Sequence, residues 1–214
     1  SRAEPDNTML QRDLAVLLGR LGDVQSSAGR PQEALVNLQR ALTLVERLAA
    51  SDPANATWRR DVLVALSRLS ELQLAVSDNA GASESTRRHL AIARVQAATD
   101  PGNVLWQQDL AASHERAADI ATRVGERQTA LAEYEQALEI YRALLLRNPG
   151  DFQTRLYSVV PLWQLGALRG GAGGRALLEE ALAILKPLAA ANRLDANRRA
   201  WIARIESQLG RGPL

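Results

Sequence analysis

The chain has 214 residues, with 26 basic and 24 acidic side chains, a net charge of +2 and no cysteine. The balanced charge, with no block of like charges, excludes a basic nucleic-acid arm, and the missing thiols exclude disulfides and thiolate metal sites. No apolar run is long enough for a membrane helix and the first residues do not read as a signal peptide, so no membrane contact and a cytoplasmic location are expected.

The first apolar-periodic segment carries Leu14, Leu17, Leu18, Leu21 and Val24, which predicts a helix over 7–27 with Asn7 as its N-cap. A turn reading Ala28-Gly29-Arg30-Pro31 ends it. Ala34, Leu35, Leu38, Ala41, Leu42 and Val45 predict a second helix over 31–51. It must stop before Asp52-Pro53, because a residue preceding proline is pushed out of the α region. The same pair of segments then recurs. First helices are expected near 55–76, 103–124 and 151–169, capped by Asn55, Asn103 and Asp151. Second helices are expected near 82–99, 127–147 and 175–191, and a lone helix near 195–209.

Asp52-Pro53-Ala54-Asn55 returns as Asp100-Pro101-Gly102-Asn103, shifted by 48, and again in register as Asn148-Pro149-Gly150-Asp151. Glu4-Pro5-Asp6-Asn7 holds the same phase one period earlier. A fixed period marks a stack of similar units rather than a globule around one pocket. The units read 5–52, 53–100, 101–148 and 149–194, and the helix over 195–209 is expected to cap a single elongated domain spanning 1–214. Ser1 stands where an initiator Met would, and Pro5 is already in phase, so the chain is expected to be part of a longer protein. Unit two carries Ser83, Thr86 and His89 where unit one has Leu35, Leu38 and Ala41, so its second helix is expected to pack less tightly. In unit four the run Gly170-Gly171-Ala172-Gly173-Gly174 is expected to be a flexible turn open to proteolysis.

Unit one reads Leu21-Gly22, Gly29, Ala34-Leu35, Leu38 and Ala41-Leu42, and unit three reads Gly125, Ala130-Leu131, Tyr134 and Ala137-Leu138. These spacings resemble the tetratricopeptide repeat, whose usual unit is about 34 residues. The phrase from Asp100 to Asn103, with Trp106-Gln107-Gln108-Asp109-Leu110-Ala111 and Ser113-His114-Glu115-Arg116, is similar to a long-unit bacterial form of that repeat. The resemblance covers nearly the whole chain. It implies an all-α, tetratricopeptide-like α-solenoid, a right-handed superhelix of antiparallel helix pairs with about four and a half units. In bacteria such arrays are often joined to kinases, nucleotide cyclases or caspase-like proteins. The implied function is non-catalytic: a scaffold whose concave groove holds a peptide or helix of a partner protein. A regulatory or oligomerising region that docks its own parent chain is the alternative, and a helical-repeat RNA binder a weaker one, since Lys186 is the only lysine.

In that family the first helices line the groove. By position, the groove-facing residues would include Val16, Gly19 and Asp23 in unit one, and Val64 and Glu71 in unit two. Unit three would offer Ala112, Glu115 and Asp119, and unit four Val160 and Trp163. Val16, Val64, Ala112 and Val160 would form an apolar row, and Asp23, Glu71 and Asp119 an acidic one, suited to a peptide carrying Lys or Arg. The acids equally suit a plain surface reading, in which Arg20–Asp23, Arg68–Glu71 and Arg116–Asp119 pair within each helix as i,i+3 neighbours. The family's best-known site clamps a C-terminal carboxylate with Lys and Asn. Those positions here hold Val, Gly, Ser or acids, so a chaperone-tail partner is not expected.

Trp58, Trp106 and Trp201 recur in phase and are expected to wedge between neighbouring units. His89 and His114 fall on repeat positions equivalent to Ala41 and Leu18, as core or groove-edge residues rather than metal ligands. The glycine run at 170–174 is followed by Arg175-Ala176 and not by Lys-Ser/Thr, so it is no phosphate loop. No cofactor motif and no nucleophile–base set is present, and catalysis is not expected.

Overall fold

The computed structural model describes residues 5–210, with the side chains of residues 5–7 outside that description. Among the described residues every regular element is an α-helix. Contacts divide the chain into two compact units, Ser1–Gln96 and Ala97–Leu214.

The first unit holds α1 (Pro5–Ser27), α2 (Pro31–Ser51), α3 (Ala56–Ala75) and most of α4 (Asn79–Thr99). Because α1 starts at Pro5, Asn7 lies inside the helix rather than at its cap, and its side chain, like Glu4, is outside the described residues. Asn55 caps α3 as expected, its side chain accepting from Thr57 N at 3.1 Å and Trp58 N at 3.2 Å. The α1–α2 and α3–α4 turns share one geometry. Arg30 N bonds Gln25 O at 2.8 Å and Asp78 N bonds Gln73 O at 2.8 Å, the six-to-one bond that closes a helix through a left-handed residue. That residue is Gly29 (φ +74°) in the first turn and Ser77 (φ +65°) in the second. Asp78 then accepts from Gly81 N at 2.9 Å, so α4 starts at Asn79, three residues before the predicted start.

The core of this unit lies where α2 meets α1 and α3: Leu38, Leu42 and Val45 against Ala15, Val62, Leu66 and Leu69. Gly22 lets α1 close on α2, since a Cβ there would stand 2.9 Å from Leu38 Cγ and 3.4 Å from Ala34 O. The polar residues of α4 are drawn inward: Ser85, Thr86, His89 and Gln96 are all buried.

The second unit holds α5 (Val104–Arg123), α6 (Arg127–Arg147), α7 (Phe152–Tyr157), α8 (Val159–Arg169), α9 (Gly171–Ala190) and α10 (Ala196–Gly210). Asn103 caps α5 through Trp106 N at 3.2 Å, and Asp151 caps α7 through Gln153 N at 3.0 Å. The α5–α6 turn repeats the geometry of the first unit, with Gly125 at φ +85° and Glu126 N bonding Ala121 O at 2.8 Å.

Two expectations fail in this unit. The helix foreseen over 151–169 is broken at Ser158 into α7 and α8. Pro161 is the cause: it has no N–H for the carbonyl of Tyr157 and its ring crowds that carbonyl, so the chain unwinds just upstream. The glycine run is also no flexible turn. Only Gly170 is outside a helix, α9 begins at Gly171, and Gly174 is buried. The core here runs from Tyr134 and Leu138 on α6 through Leu162 and Leu165 on α8 to Leu178, Leu182 and Leu185 on α9. The helix α10 lies on that core through Ile205, which is fully buried, with Trp201, Ile202 and Leu209 around it.

Candidate partner-binding surface

In the first unit Val16 and Val64 flank a shallow cleft of about 100 Å³ between α1 and α3. Both remain partly exposed, at 39% and 44%. Two ion pairs tie the helices together beside it. Arg12 Nε lies 2.6 Å from Asp61 Oδ2, and Arg68 Nη1 lies 3.7 Å from Asp23 Oδ2. The Arg68 guanidinium rests over Gly19, where a Cβ would stand 2.6 Å from Nη1. Asp23 is thus partnered across helices, by an arginine one repeat on. Glu71 is exposed on the next turn of α3.

In the second unit Ala112, Glu115 and Val160 converge on a cavity of about 350 Å³. Asp109 lines it beside them from α5, Tyr141 closes it from α6, and Tyr157 stands at the end of α7. Arg198 and Trp201 of α10 complete the wall. Tyr141 and Tyr157 stack at an angle, with centroids 6.3 Å apart and planes inclined by 39°. Arg198 is held by its own neighbour, Nη1 at 2.8 Å from Asp195 Oδ2.

Glu115 is the unusual member of this wall. Its repeat equivalents are Gly19, Ser67 and Trp163. Its Oε1 is buried without a hydrogen-bond partner. Burial pushes the Glu115 carboxyl up to about 8, and the nearby Asp119 adds to the rise, against a hydrogen bond from Tyr141 and the charge of Arg116. Burial, with the Glu115 charge next to it, holds the Tyr141 hydroxyl well above the usual phenol range. At neutral pH the cavity therefore has a protonated acid on its wall, able to donate a hydrogen bond, or to release its proton to water when a cation is placed against it.

Two expected groove residues stand elsewhere. Asp119 is exposed but accepts the hydroxyl hydrogen bond of the buried Tyr134. Trp163 is covered by the closing helix: its Nε1 donates to Gln208 Oε1 at 2.8 Å and its ring sits 6.0 Å from that of Trp201. The tryptophans Trp58, Trp106 and Trp201 are all partly buried. Sequence reasoning missed Tyr141 and Tyr157 as walls of the cavity. The available signal was Glu115 itself, a carboxylate on a row otherwise small or apolar.

His114 is buried with Nδ1 2.6 Å from Glu133 Oε2, a contact internal to α5 and α6. Among the described residues no three His, Cys, Asp or Glu side chains are grouped to hold a metal ion. No described helix is long and apolar enough to cross a membrane.

No family model matches the chain, and no curated protein matches it. Solved structures do. BtubC (BKLC) from P. vanneervenii is 18% identical, with a TM-score of 0.68 over 94% of this chain and 72% of that one. The fold is an all-α, tetratricopeptide-like helical repeat. MamA is 16% identical, with a TM-score of 0.48 over 82% of this chain and 81% of that one. TTC0263, a thermophilic TPR protein in Thermus thermophilus, is 20% identical, with a TM-score of 0.31 over 91% of this chain and 98% of that one. The likeness to BtubC is one of fold alone, and the two lower scores add no argument.

Proposed function

We propose that this chain is a non-catalytic protein-interaction scaffold that holds a basic peptide or helix of a partner against its first helices. One observation carries the reading: Ala112, Glu115 and Val160, three positions that a tetratricopeptide-like groove would use, meet in one open cavity with aromatic walls. Tyr157 and Trp201 put aromatic rings on its wall, and Asp109 and Glu115 put carboxyl groups there, the two kinds of side chain that hold a cation. An arginine or lysine side chain entering between them would ionise Glu115 and be held by it. We further infer that the period of 48 is a long-unit form of the repeat, with units 5–52, 53–100, 101–148 and 149–194 and a closing helix. In support, Asn55, Asn103 and Asp151 cap their helices in register.

The test is a peptide array probed with the labelled chain, in which amphipathic peptides carry Arg or Lys in one set and Glu or Asp in the other. Capture of the basic set, lost in Glu115→Lys, is the expected result. Equal or better capture of the acidic set refutes the reading. The second reading, an oligomerising region of a larger signalling protein, is favoured by the exposed apolar face of α1.

A further inference from the structure

In the first unit Val62, Ala65, Leu69 and Leu72 of α3 belong to the core shared with α2, and none is more than 8% exposed. The residues one repeat earlier, on α1, are Leu14, Leu17, Leu21 and Val24. These are 45%, 61%, 45% and 61% exposed, and Leu10, one turn before them, is 69% exposed. So, among the described residues, α1 carries the contact face that α3 buries but has no helix laid over it. A contiguous apolar row of this kind marks an interaction surface.

The spacing says what kind. Leu10, Leu14, Leu17, Leu21 and Val24 are separated by four, three, four and three residues, the seam of a heptad repeat with Leu14 and Leu21 at a and the others at d. Asp13 and Arg20 then stand at the two g positions that flank Leu17, both exposed.

We propose that α1 docks antiparallel on α1 of a second copy of this chain, about a two-fold axis at Leu17. Charge selects both the partner and the direction. An antiparallel seam places g against g, so Asp13 of each copy meets Arg20 of the other, twice by symmetry. A parallel seam would place g against e. The e positions that would then face Asp13 and Arg20 are Leu18, which is buried, and Gln25, which bonds Glu33 at 3.0 Å and Asn37 at 2.7 Å within its own unit. Neither can answer a charge. The inference goes beyond the peptide-binding reading and does not depend on it.

Sedimentation velocity of the 214-residue chain over a wide micromolar range tests it, with circular dichroism to confirm that each variant keeps its helices. The expected result is a concentration-dependent dimer. Leu17→Glu weakens it by at least about thirty-fold. Asp13→Arg and Arg20→Asp each weaken it by about five- to tenfold, and the two together restore it. A monomer at every concentration overturns the proposal, as does a dimer untouched by Leu17→Glu. Single charge reversals that have no effect, or a double reversal that does not recover, overturn the antiparallel seam.

Discussion

Gly166 of α8 and Gly174 of α9 meet backbone to backbone: a Cβ on Gly166 would stand 2.9 Å from the carbonyl oxygen of Gly174 and 3.0 Å from the Leu178 side chain. The same first-helix row reads Gly22, Ser70, Ala118 and Gly166, and the facing row reads Ala34, Ala82, Ala130 and Gly174. The fourth unit is thus the one in which both partners are glycine. Alanine in a helix is ordinarily preferred to glycine by about 1 kcal/mol. Here the sign reverses, and Gly166→Ala is expected to cost about 1–3 kcal/mol through overpacking against backbone that cannot yield. Gly173 is the control. It sits in the same helix as Gly174 with nothing within 4 Å of its would-be Cβ, so Gly173→Ala should stabilise by about 0.5–1 kcal/mol. Urea midpoints of the two variants should move in opposite directions.

Ser77 occupies the left-handed position that Gly29 and Gly125 hold in the equivalent turns, at φ +65°. Its Cβ crowds the following carbonyl, a strain that glycine does not carry. Ser77→Gly is expected to raise stability by about 1 kcal/mol, and Gly29→Ala to lower it by a similar amount. Thermal unfolding of both checks the pair. A Ser77→Gly protein no more stable than the parent would mean that the turn relaxes in solution.

Leu138 is 3% exposed in the core between α6 and α8. Leu138→Ala removes side-chain atoms from a site bounded by Leu162 and Leu165, and should cost about 2–5 kcal/mol. Full retention of the denaturation midpoint would contradict the helix register given above.

The parts of this fold that were legible in the sequence are those set by short-range chemistry. Asn55, Asn103 and Asp151 announce helix starts because their side chains reach backbone N–H groups two or three residues on. Gly29 and Gly125 announce ends because the turn needs φ above zero. The break at Ser158 was hidden because the apolar spacing runs on through Pro161, and periodicity outvoted the missing N–H. The helix over Gly171–Gly174 was hidden because glycine is a poor helix former in isolation. Only its contact with Gly166, a residue on another helix, makes it the required one. For the candidate site, the residue row could be read by repeat position, but its electrostatics could not. Arg68 reaching Asp23, Tyr134 bonding Asp119 and Gln208 covering Trp163 all depend on the distance between helices, which no single segment encodes.

The Glu115 carboxyl gives the chain a distinctive pH dependence. Its ordinary value is 4.5 and burial carries it up to about 8 in the folded protein. A raised carboxyl binds its proton more tightly when folded. Its contribution is therefore fully present below about pH 4.5 and is lost as pH climbs towards about 8, where folded and unfolded chains are both ionised. The loss should be a few kcal/mol at most, since each unit of pH across that window is worth about 1.4 kcal/mol and the side chain is only partly buried. Asp151 and Asp195 act in the other direction and in another window. Hydrogen bonds, from Thr154 to Asp151 and from Arg198 N to Asp195, lower both acids, so their contribution disappears only as pH falls through those lowered values. Glu115→Gln should leave that acid limb in place, flatten the stability curve between about pH 4.5 and 8, and raise the urea midpoint at pH 8 above that of the parent. A basic peptide that fills the cavity should bind the parent more tightly as pH rises through the same window, because the carboxyl must ionise to hold it. Glu115→Gln should bind that peptide weakly at every pH. A parent whose urea midpoint is level from pH 5 to pH 8 would show that this carboxyl titrates as an ordinary surface acid, and would remove the basis for a buried cation seat.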